Sequence, residues 1–449
     1  MKKKLRMIVS WTLVSLMLQI PTYYYLNHLI EKVMAPPVTA VTVRTLKTTI
    51  PGSALESMQI SYAKDYIAYK ENGVLKVYNL IQEKQVFSKT APSNDKNLGV
   101  LYFQWLPDRN TLIYFYARKN PNPMTTEVVP VTPTPSSTNS TQSSSSNTST
   151  KKSSTSINQP QTSQTSKGNT ALTQSTPSTQ ATNPDSIKTE DPQQAPATNS
   201  TPAPKQRIIT HYNNPQITDL YTLELPDSDE TTAPDDRFNE SINGFPASGQ
   251  ITNMVVSTFT NLMYLTIKNG TNLQLMEIDV MKNVRTLNQS GEVITEMAAS
   301  DKFGTLYIES KTGNSKIIQA LEGTKRQTIS KDETETILGN RAGTLYLGQI
   351  EGNNLVQVRS AADTSDSSKI EFKTVWQGSI PFKDVKVVIG TNNQIVISSN
   401  QMAYIIQSDG QQKQVTLTGK DNFVSQDGAE LIELTPNGNS TDIELKPLQ

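Results

Sequence analysis

Gly304-Thr305-Leu306-Tyr307-Ile308 is answered later in the chain by Gly343-Thr344-Leu345-Tyr346-Leu347. The tyrosines of these two copies lie 39 residues apart, and a weaker copy, Asn261-Leu262-Met263-Tyr264-Leu265, comes 43 residues before the first. Each copy is a short apolar run beside a Gly or Asn turn, which is typical of a β-strand. A strand that recurs about every 40 residues predicts a repeat architecture with four strands per unit.

The repeat extends to both ends of the chain. Residues 65–69 and 111–114 are further copies, and each unit combines a buried strand, an apolar strand, an alternating strand and a weaker outer strand. Asn72-Gly73 is a strong hairpin signal, because both central residues of such a turn favour positive φ. We therefore predict an all-β fold, a closed β-propeller of seven four-stranded blades. Six or eight blades would follow if one weak unit is misjudged.

The last unit ends one strand short of the other units. The alternating run Val38–Arg44 precedes the first complete unit and has no partner within it. Pairing this run with the last unit would close the ring and remove two exposed sheet edges. We predict this pairing, so that the propeller would extend over residues 38–449.

An uncharged segment, residues 7–27, follows a basic stub of residues 1–6. Its length is about the 20 residues that a membrane-spanning helix needs. The basic residues before it predict a single-pass signal-anchor helix over residues 7–30, with the N-terminus in the cytoplasm and the bulk of the chain outside the cytoplasmic membrane. The alternative is a cleaved signal peptide, which needs small residues soon after the apolar core, and Val33-Met34-Ala35 is a poor and late site.

A Ser/Thr/Pro/Gln-rich tract occupies residues 119–206. It has too few apolar side chains to offset the entropy of ordering, so we predict that it is disordered. The strand 112–117 precedes it, and the strand 217–225 follows it as its natural hairpin partner. We therefore predict an enlarged hairpin loop inside the second blade and not a linker between domains, because closing a longer loop costs little extra entropy.

The amino-acid composition excludes some kinds of catalytic and binding site and disfavours others. The chain has no cysteine, which excludes disulfides, thiolate catalysis and Cys-based metal sites. In an exported chain this favours a bacterial envelope that does not rely on disulfides. Lys+Arg and Asp+Glu number 41 each, so no overall charge favours nucleic acid. Of the two histidines, His28 and His211, only His211 could serve a hydrolase triad, and we interpret it as a polar residue at a strand edge.

Trp105-Leu106-Pro107-Asp108, followed by Leu112-Ile113-Tyr114, resembles the W-S-P-D-G…I-A-Y pattern of the TolB-like, "WD40-like" (PD40-type) propeller repeats. Residues 64–69 are similar to the same pattern in degraded form. These repeats also form the propeller domains of prolyl-oligopeptidase-type peptidases. The chain departs from the pattern where Leu106 replaces Ser and Arg109-Asn110 replaces the turn Gly.

The resemblance implies the fold, with Trp105 packed between blades and Asp108 capping a turn. It does not imply peptidase activity. The catalytic α/β-hydrolase domain of those enzymes has no counterpart in this sequence, and no Gly-x-Ser-x-Gly elbow occurs.

Two sets of residues are candidate sites. Asp227, Asp229, Asp235 and Asp236, with Glu230, form an acidic loop that is a weak Ca²⁺ candidate, and a solvated loop is the alternative. Five tyrosines recur at what we take to be one repeat position: Tyr69, Tyr114, Tyr264, Tyr307 and Tyr346. We predict that they pack between blades and do not form a ring that stacks on a ligand, and we predict the same for Trp105 and Trp376.

These observations favour a non-enzymatic binding or scaffold module of a bacterial cell envelope. The expected partners are the membrane, through the N-terminal helix, and a protein, peptide or glycan outside the cell, with no nucleic acid and no cofactor apart from the Ca²⁺ candidate. The alternative is a carboxylate-dependent enzyme, with or without the assistance of Ca²⁺, that acts on envelope polysaccharide. It requires two or more carboxylates that converge at the central channel.

Overall fold

The computed structural model describes residues 45–93, 95–130, 206–227, 230, 232–364 and 366–448, together with Ser15, Met17 and Gln19. The elements, in chain order, are β1 (Leu46–Pro51), β2 (Glu56–Ile60), β3 (Tyr66–Glu71), β4 (Val74–Asn79), β5 (Lys84–Lys89), β6 (Gly99–Trp105), β7 (Thr111–Lys119), β8 (Met124–Pro130), β9 (Gln206–Tyr212), β10 (Gln216–Glu224), β11 (Asp235–Ile242), β12 (Gln250–Ser257), β13 (Leu262–Asn269), β14 (Asn272–Ile278), β15 (Val284–Thr286), β16 (Glu292–Ala299), β17 (Thr305–Thr312), β18 (Ser315–Glu322), β19 (Lys325–Ser330), β20 (Glu335–Arg341), β21 (Thr344–Glu351), β22 (Asn354–Ala362), a 3-10 turn (Ser367–Lys369), β23 (Lys373–Pro381), β24 (Lys386–Ile389), β25 (Ile395–Ser398), β26 (Met402–Ile406), β27 (Gln412–Thr416), β28 (Asp421–Val424), β29 (Glu430–Asn437) and β30 (Ser440–Pro447).

Seven antiparallel four-stranded sheets form the blades of a propeller. From the innermost strand outwards, the blades are I (β2-β3-β4-β5), II (β6-β7-β10-β11), III (β12-β13-β14-β15), IV (β16-β17-β18-β19), V (β20-β21-β22-β23), VI (β24-β25-β26-β27) and VII (β28-β29-β30-β1). The predicted all-β propeller of seven blades is therefore confirmed.

The described residues contain no helix long and apolar enough to span a bilayer. The predicted anchor over residues 7–30 lies outside them, apart from Ser15, Met17 and Gln19.

The ring closes through β1, which forms the outer strand of blade VII. It pairs with β30 from Leu46↔Leu445 to Pro51↔Ser440. Closure by a strand from the start of the chain is confirmed, but its assignment to Val38–Arg44 is wrong, and that run lies outside the described residues. In β1, Thr48 and Ile50 are buried while the residues that follow each of them are exposed. The alternation that turns one face of a strand into the core therefore belongs to Leu46–Pro51.

Blade II is split by the long insertion, as predicted. The paired strands β7 and β10 run from Thr111↔Glu224 to Lys119↔Gln216, and residues 120–215 connect them. The prediction of disorder from residue 119 is wrong for Met124–Pro130, because this segment is strand β8 and pairs with β9 in a two-stranded ribbon. Residues 131–205 lie outside the described residues.

The ribbon belongs to a unit separate from the blades. Within it, exposed His211 Nε2 lies 3.5 Å from Glu127 Oε2, so His211 is the polar strand residue that we predicted.

The core consists of apolar layers at the seams between blades. Successive residues of each second strand face opposite neighbours: Leu112 and Tyr114 pack towards blade I, whereas Ile113 and Phe115 pack towards blade III. The first hairpin of blade I has the predicted turn, since Asn72 and Gly73 adopt φ of 51° and 77°.

The repeated tyrosines are buried at the seams, which confirms the packing prediction. They do not occupy one repeat position, however. Tyr69 and Tyr114 face the preceding blade, while Tyr264, Tyr307 and Tyr346 face the following one. Their places in the strands differ by one residue, and such a shift moves a side chain to the other face of a sheet.

The ring has two faces that differ in what they carry. The terminal face holds the connections from the first to the second and from the third to the fourth strand of each blade, the start of β1 and the end of β30. The insertion face holds the connections from the second to the third strand and those between blades. The chain leaves the insertion face after Lys119 and returns to it at Gln216.

Candidate functional site

The innermost strands around the centre of the ring are of two kinds. The first five carry a β-bulge, at Glu56/Gln59, Val100/Tyr102, Ile251/Asn253, Ile294/Glu296 and Ile337/Gly339. Those of blades VI and VII, β24 and β28, are only four residues long and pair regularly. A bulge bends its strand and re-aims the side chains around it, and bulges are frequent next to binding sites. Bulged and regular inner strands meet at two seams, between blades V and VI and between blades VII and I, and the ring closes at the second of these.

A cavity of about 210 Å³ lies where the ring closes, between the inner strands of blades VII, I and II. Its walls combine four apolar side chains with three carboxamides: Met58, Ile60, Phe423 and Val424, with Gln59, Gln104 and Gln426. Apolar walls with a few fixed polar groups occur in ligand sites, and this cavity is smaller than the roughly 300–1,000 Å³ that is usual for them.

Trp105 fixes the carboxamides at the wall of this cavity. Its backbone N–H donates to Gln59 Oε1 at 3.4 Å, and its backbone carbonyl accepts from Gln426 Nε2 at 3.4 Å. Its indole Nε1 donates to the backbone carbonyl of Gln59 at 3.1 Å. Gln59 Nε2 in turn donates to the Phe103 carbonyl at 3.0 Å. Gln426 Oε1 is buried and has no hydrogen-bond partner among the described residues. A buried acceptor without a donor is uncommon, and such an unsatisfied group calls for an explanation.

A buried ion cluster adjoins the cavity. Both the cluster and the cavity include residues of the connection that follows β28. Lys64 Nζ lies 2.6 Å from Asp427 Oδ2 and 2.8 Å from Glu430 Oε2. Ser425 Oγ hydrogen-bonds both carboxylates, at 2.6 and 3.0 Å. The cluster therefore joins the first and last blades on the terminal face and holds the backbone on both sides of Gln426.

Ion pairing decides the pKa values in this cluster. Burial alone would lower the pKa of Lys64, but its hydrogen bonds to Asp427 and Glu430 outweigh burial and raise it. Burial alone would raise the pKa of Asp427, and the hydrogen bonds from Lys64 and Ser425 lower it instead. Both groups are thus held in their charged forms at neutral pH.

Two carboxylates face each other across the first hairpin of blade IV. Glu296 in the inner strand pairs with Glu309 in the next strand. Glu309 is buried, accepts from Thr295 Oγ1 at 2.8 Å and lies 3.6 Å from Lys316 Nζ. Desolvation, followed by the charge of Glu309, raises the pKa of Glu296. Water reaches the Glu296 side chain, and the surrounding strands at the centre of the ring still remove much of its solvation.

The predicted calcium loop is divided by the fold. Asp235 binds Arg237, with 2.5 Å between Nη2 and Oδ2, whereas Asp236 accepts from Tyr114 Oη at 2.6 Å and from Lys89 Nζ at 2.9 Å. Asp227 lies in the turn before Glu230, and Asp229 lies outside the described residues. Within the described ranges, no three His, Asp or Glu side chains are placed to hold a metal ion. The calcium site stays a prediction because one of its residues is not described.

The Trp105 motif has the packing role that the resemblance implied, and Asp108 has a different one. Trp105 is fully buried at the seam between blades I and II. The Asp108 carboxylate binds the Arg109 guanidinium through two hydrogen bonds, of 3.0 and 2.7 Å, where a cap on the turn was expected. Trp376 packs at the seam between blades V and VI, as predicted.

Sequence reasoning did not find the cavity or the ion cluster. Gln104 and Gln426 come from opposite ends of the chain, and glutamine has no motif that marks it as a ligand. For Lys64 a signal exists. It lies in the segment 64–69 that resembles the propeller repeat, so it follows an inner strand, where neighbouring blades come close together.

Comparison with known proteins matches no family model and no curated protein. Solved structures that resemble the chain include TolB from Acinetobacter baumannii, with 9% identity, a TM-score of 0.35 and coverage of 52% of this chain and 60% of TolB. The WD40 domain of SCAP from fission yeast shares 7% identity, with a TM-score of 0.40 and coverage of 90% and 94%. A gluconolactonase from Xanthomonas campestris shares 11%, with a TM-score of 0.32 and coverage of 51% and 82%.

These similarities concern the fold alone. The propeller fold that the resemblance of Trp105–Tyr114 implied is confirmed by the seven four-stranded blades.

Proposed function

We propose that this chain is a membrane-anchored binding or scaffold module, whose propeller lies outside the cytoplasmic membrane of a bacterial cell. The uncharged segment of residues 7–27 after a basic stub supports the anchor, and the absence of cysteine supports the envelope location. The ligand site is the cavity at the closing seam.

The buried, unpaired Gln426 Oε1 is the observation that carries this proposal. Together with Gln104, it offers carboxamide groups beside the apolar surface of Met58 and Phe423. Carboxamides both donate and accept hydrogen bonds, as do peptide groups and sugar hydroxyls. We therefore assign a peptide segment or a glycan as the class of ligand.

Gln426→Leu tests the assignment. The full chain, purified in detergent and immobilised, is exposed to an extract of the bacterial envelope, and retained material is compared between variants. Gln426→Leu is expected to bind about five- to tenfold more weakly, the cost of one lost hydrogen bond in a desolvated site. Gln411→Leu is the matched control, because Gln411 is exposed in a connection of blade VI. Equal retention by both variants would overturn the assignment.

The pair Glu296–Glu309 favours a second candidate function, a carboxylate-dependent enzyme that acts on envelope polysaccharide. A carboxylic acid of raised pKa beside an ionised carboxylate is the arrangement that glycoside hydrolysis uses. In this scheme Glu296 would donate a proton to the leaving oxygen, and Glu309, held by Lys316 and Thr295, would accept the proton of the attacking water.

Hydrolysis of purified cell-wall glycan by the full chain tests this alternative. If the pair is catalytic, Glu296→Gln should lower the rate by at least about a hundredfold, since a general acid contributes on that order. An unchanged rate, or no hydrolysis by the wild-type protein, would count against it.

A further inference from the structure

Exposed apolar side chains are unevenly divided between the two faces of the ring. Ile81, Phe259, Val280 and Met281 lie in connections of the terminal face and are 45–75% exposed. Among the described connections of the insertion face, no large apolar side chain is exposed outside strands β8 and β9. Those two strands expose Met124, Val128, Ile208 and Tyr212. Val280 and Met281 form the tip of one hairpin, between β14 and β15 of blade III, and Phe259 lies in another connection of the same blade.

The first strand of the described chain begins at this same face. Strand β1 begins there at Leu46, and the predicted span ends at residue 30. Fifteen residues lie between them. Even fully extended, such a segment reaches only about 50 Å, at roughly 3.4 Å per residue. An anchored propeller is therefore confined near the bilayer, and the face where its tether begins is the one held closest to it.

We infer that the terminal face rests against the lipid bilayer and inserts the side chains of Phe259, Val280 and Met281 at the interface. The inference rests on the proposed anchoring and adds the orientation of the ring to it. Isolated exposed apolar residues are ordinary on a protein surface. Here the lipid is favoured as the occupant because three of them share one blade, on the face to which the tether is attached.

Because the chain has no cysteine, single-site labelling provides a direct test. Met281→Cys on the terminal face and Ser315→Cys on the insertion face both introduce a thiol at an exposed position in a hairpin. Each full-length variant is labelled with an environment-sensitive fluorophore and reconstituted in phosphatidylcholine vesicles that contain spin-labelled lipid. The label at position 281 is expected to be quenched at least about threefold more than the label at position 315. In the Met281→Cys background, Phe259→Ser with Val280→Ser should reduce this difference.

The outcomes separate the inference from the anchoring on which it rests. Equal quenching of the two labels, with the protein still in the vesicle fraction after an alkaline wash, would overturn the orientation and leave the anchoring intact. Release of the protein by the wash would overturn the anchoring and the orientation together.

Discussion

At the seam between blades VII and I, Lys64 contacts Asp427 and Glu430, which lie 363 and 366 positions later in the chain. At the seam between blades IV and V, the polar partners are 28 to 56 positions apart: Glu309 with Ile337 N, Asp301 with Gly343 N, and Tyr307 with Asp363. Both seams also contain an apolar layer. The internal seam can thus form as two neighbouring blades fold, whereas the closing seam can form only when the other blades are in place.

This difference indicates where a substitution or deletion should destabilise the ring most. An internal seam joins two blades that follow one another in the chain, and it is held by contacts that are local in sequence. The closing seam depends on β1, on the Lys64 cluster and on apolar packing. If these are lost, two sheet edges are exposed and the ring becomes an open array of blades. We therefore expect loss of β1 or of the Lys64 cluster to have a larger effect than loss of the corresponding contacts at an internal seam.

Deletion of β1 is expected to have the largest effect on stability. Removing Leu46–Pro51 takes away the outer strand of blade VII and the buried Ile50, whose truncation alone should cost about 2–5 kcal/mol. We expect the folded protein to be lost or its thermal midpoint to fall sharply, as followed by circular dichroism. Deletion of Val38–Arg44 is the control and should leave the midpoint nearly unchanged. A strong loss from the control deletion would show that the earlier run also closes the ring.

Lys64→Met is expected to have the next largest effect. It leaves Glu430, which is fully buried, without its cation, and breaking a buried ion pair from one side costs about 3–5 kcal/mol. Lys316→Met at the internal seam should cost less, because Glu309 keeps its bonds from Thr295 and Ile337 N. Urea unfolding of both variants measures the difference. Equal losses would contradict the contrast between the seams.

Two tyrosines provide a closely matched test, in which the expected change in the free energy of unfolding is smaller. Tyr307 donates its hydroxyl to Asp363 at the internal seam, so Tyr307→Phe should cost about 1.5–3 kcal/mol. The hydroxyl of Tyr69, at the closing seam, is buried without a hydrogen-bond partner among the described residues. Tyr69→Phe should therefore be neutral or stabilising. A substantial loss from Tyr69→Phe would show that its hydroxyl has a partner, such as a water molecule.

The pH dependence of unfolding should show the smallest effect. The folded pKa of Asp427 is lowered, so its contribution is complete at neutral pH and is lost as the pH falls below the usual carboxylate range, about 4. The folded pKa of Lys64 is raised, so its contribution is lost as the pH rises above about 10.5. The unfolding free energy of the wild-type protein should fall in both windows. Lys64→Met should flatten both changes, and an unchanged profile would contradict the assignment.

Much of the fold follows from short-range patterns in the sequence. The Gly-Thr-Leu-Tyr copies predict the repeat because an apolar strand must recur wherever a blade recurs. Asn72-Gly73 predicts its hairpin because few other pairs tolerate positive φ at both positions. The closing strand was assigned to the wrong run because Val38–Arg44 and Leu46–Pro51 both alternate, and alternation alone does not determine which run is paired.

The site was less accessible to prediction because it is assembled from distant parts of the chain. Gln426 becomes a buried, unpaired acceptor only when the seam places it against Trp105. Lys64 is a charged residue in a short connection, where charges are usually solvated, and its burial depends on a blade that ends the chain. The tyrosines were correctly placed in the core, but a shift of one residue, invisible without the register of the strands, divides them between two faces of their blades.

The position of the insertion has a consequence for the integrity of the molecule. A protease that cut between residues 131 and 205 would separate β1–β8 from β9–β30 without removing a blade strand. The two fragments would still share the nine residue pairs between β7 and β10 and the six between β1 and β30. The propeller should therefore persist after such a cut as a nicked complex of two chains, and the two chains should reassemble when they are expressed separately.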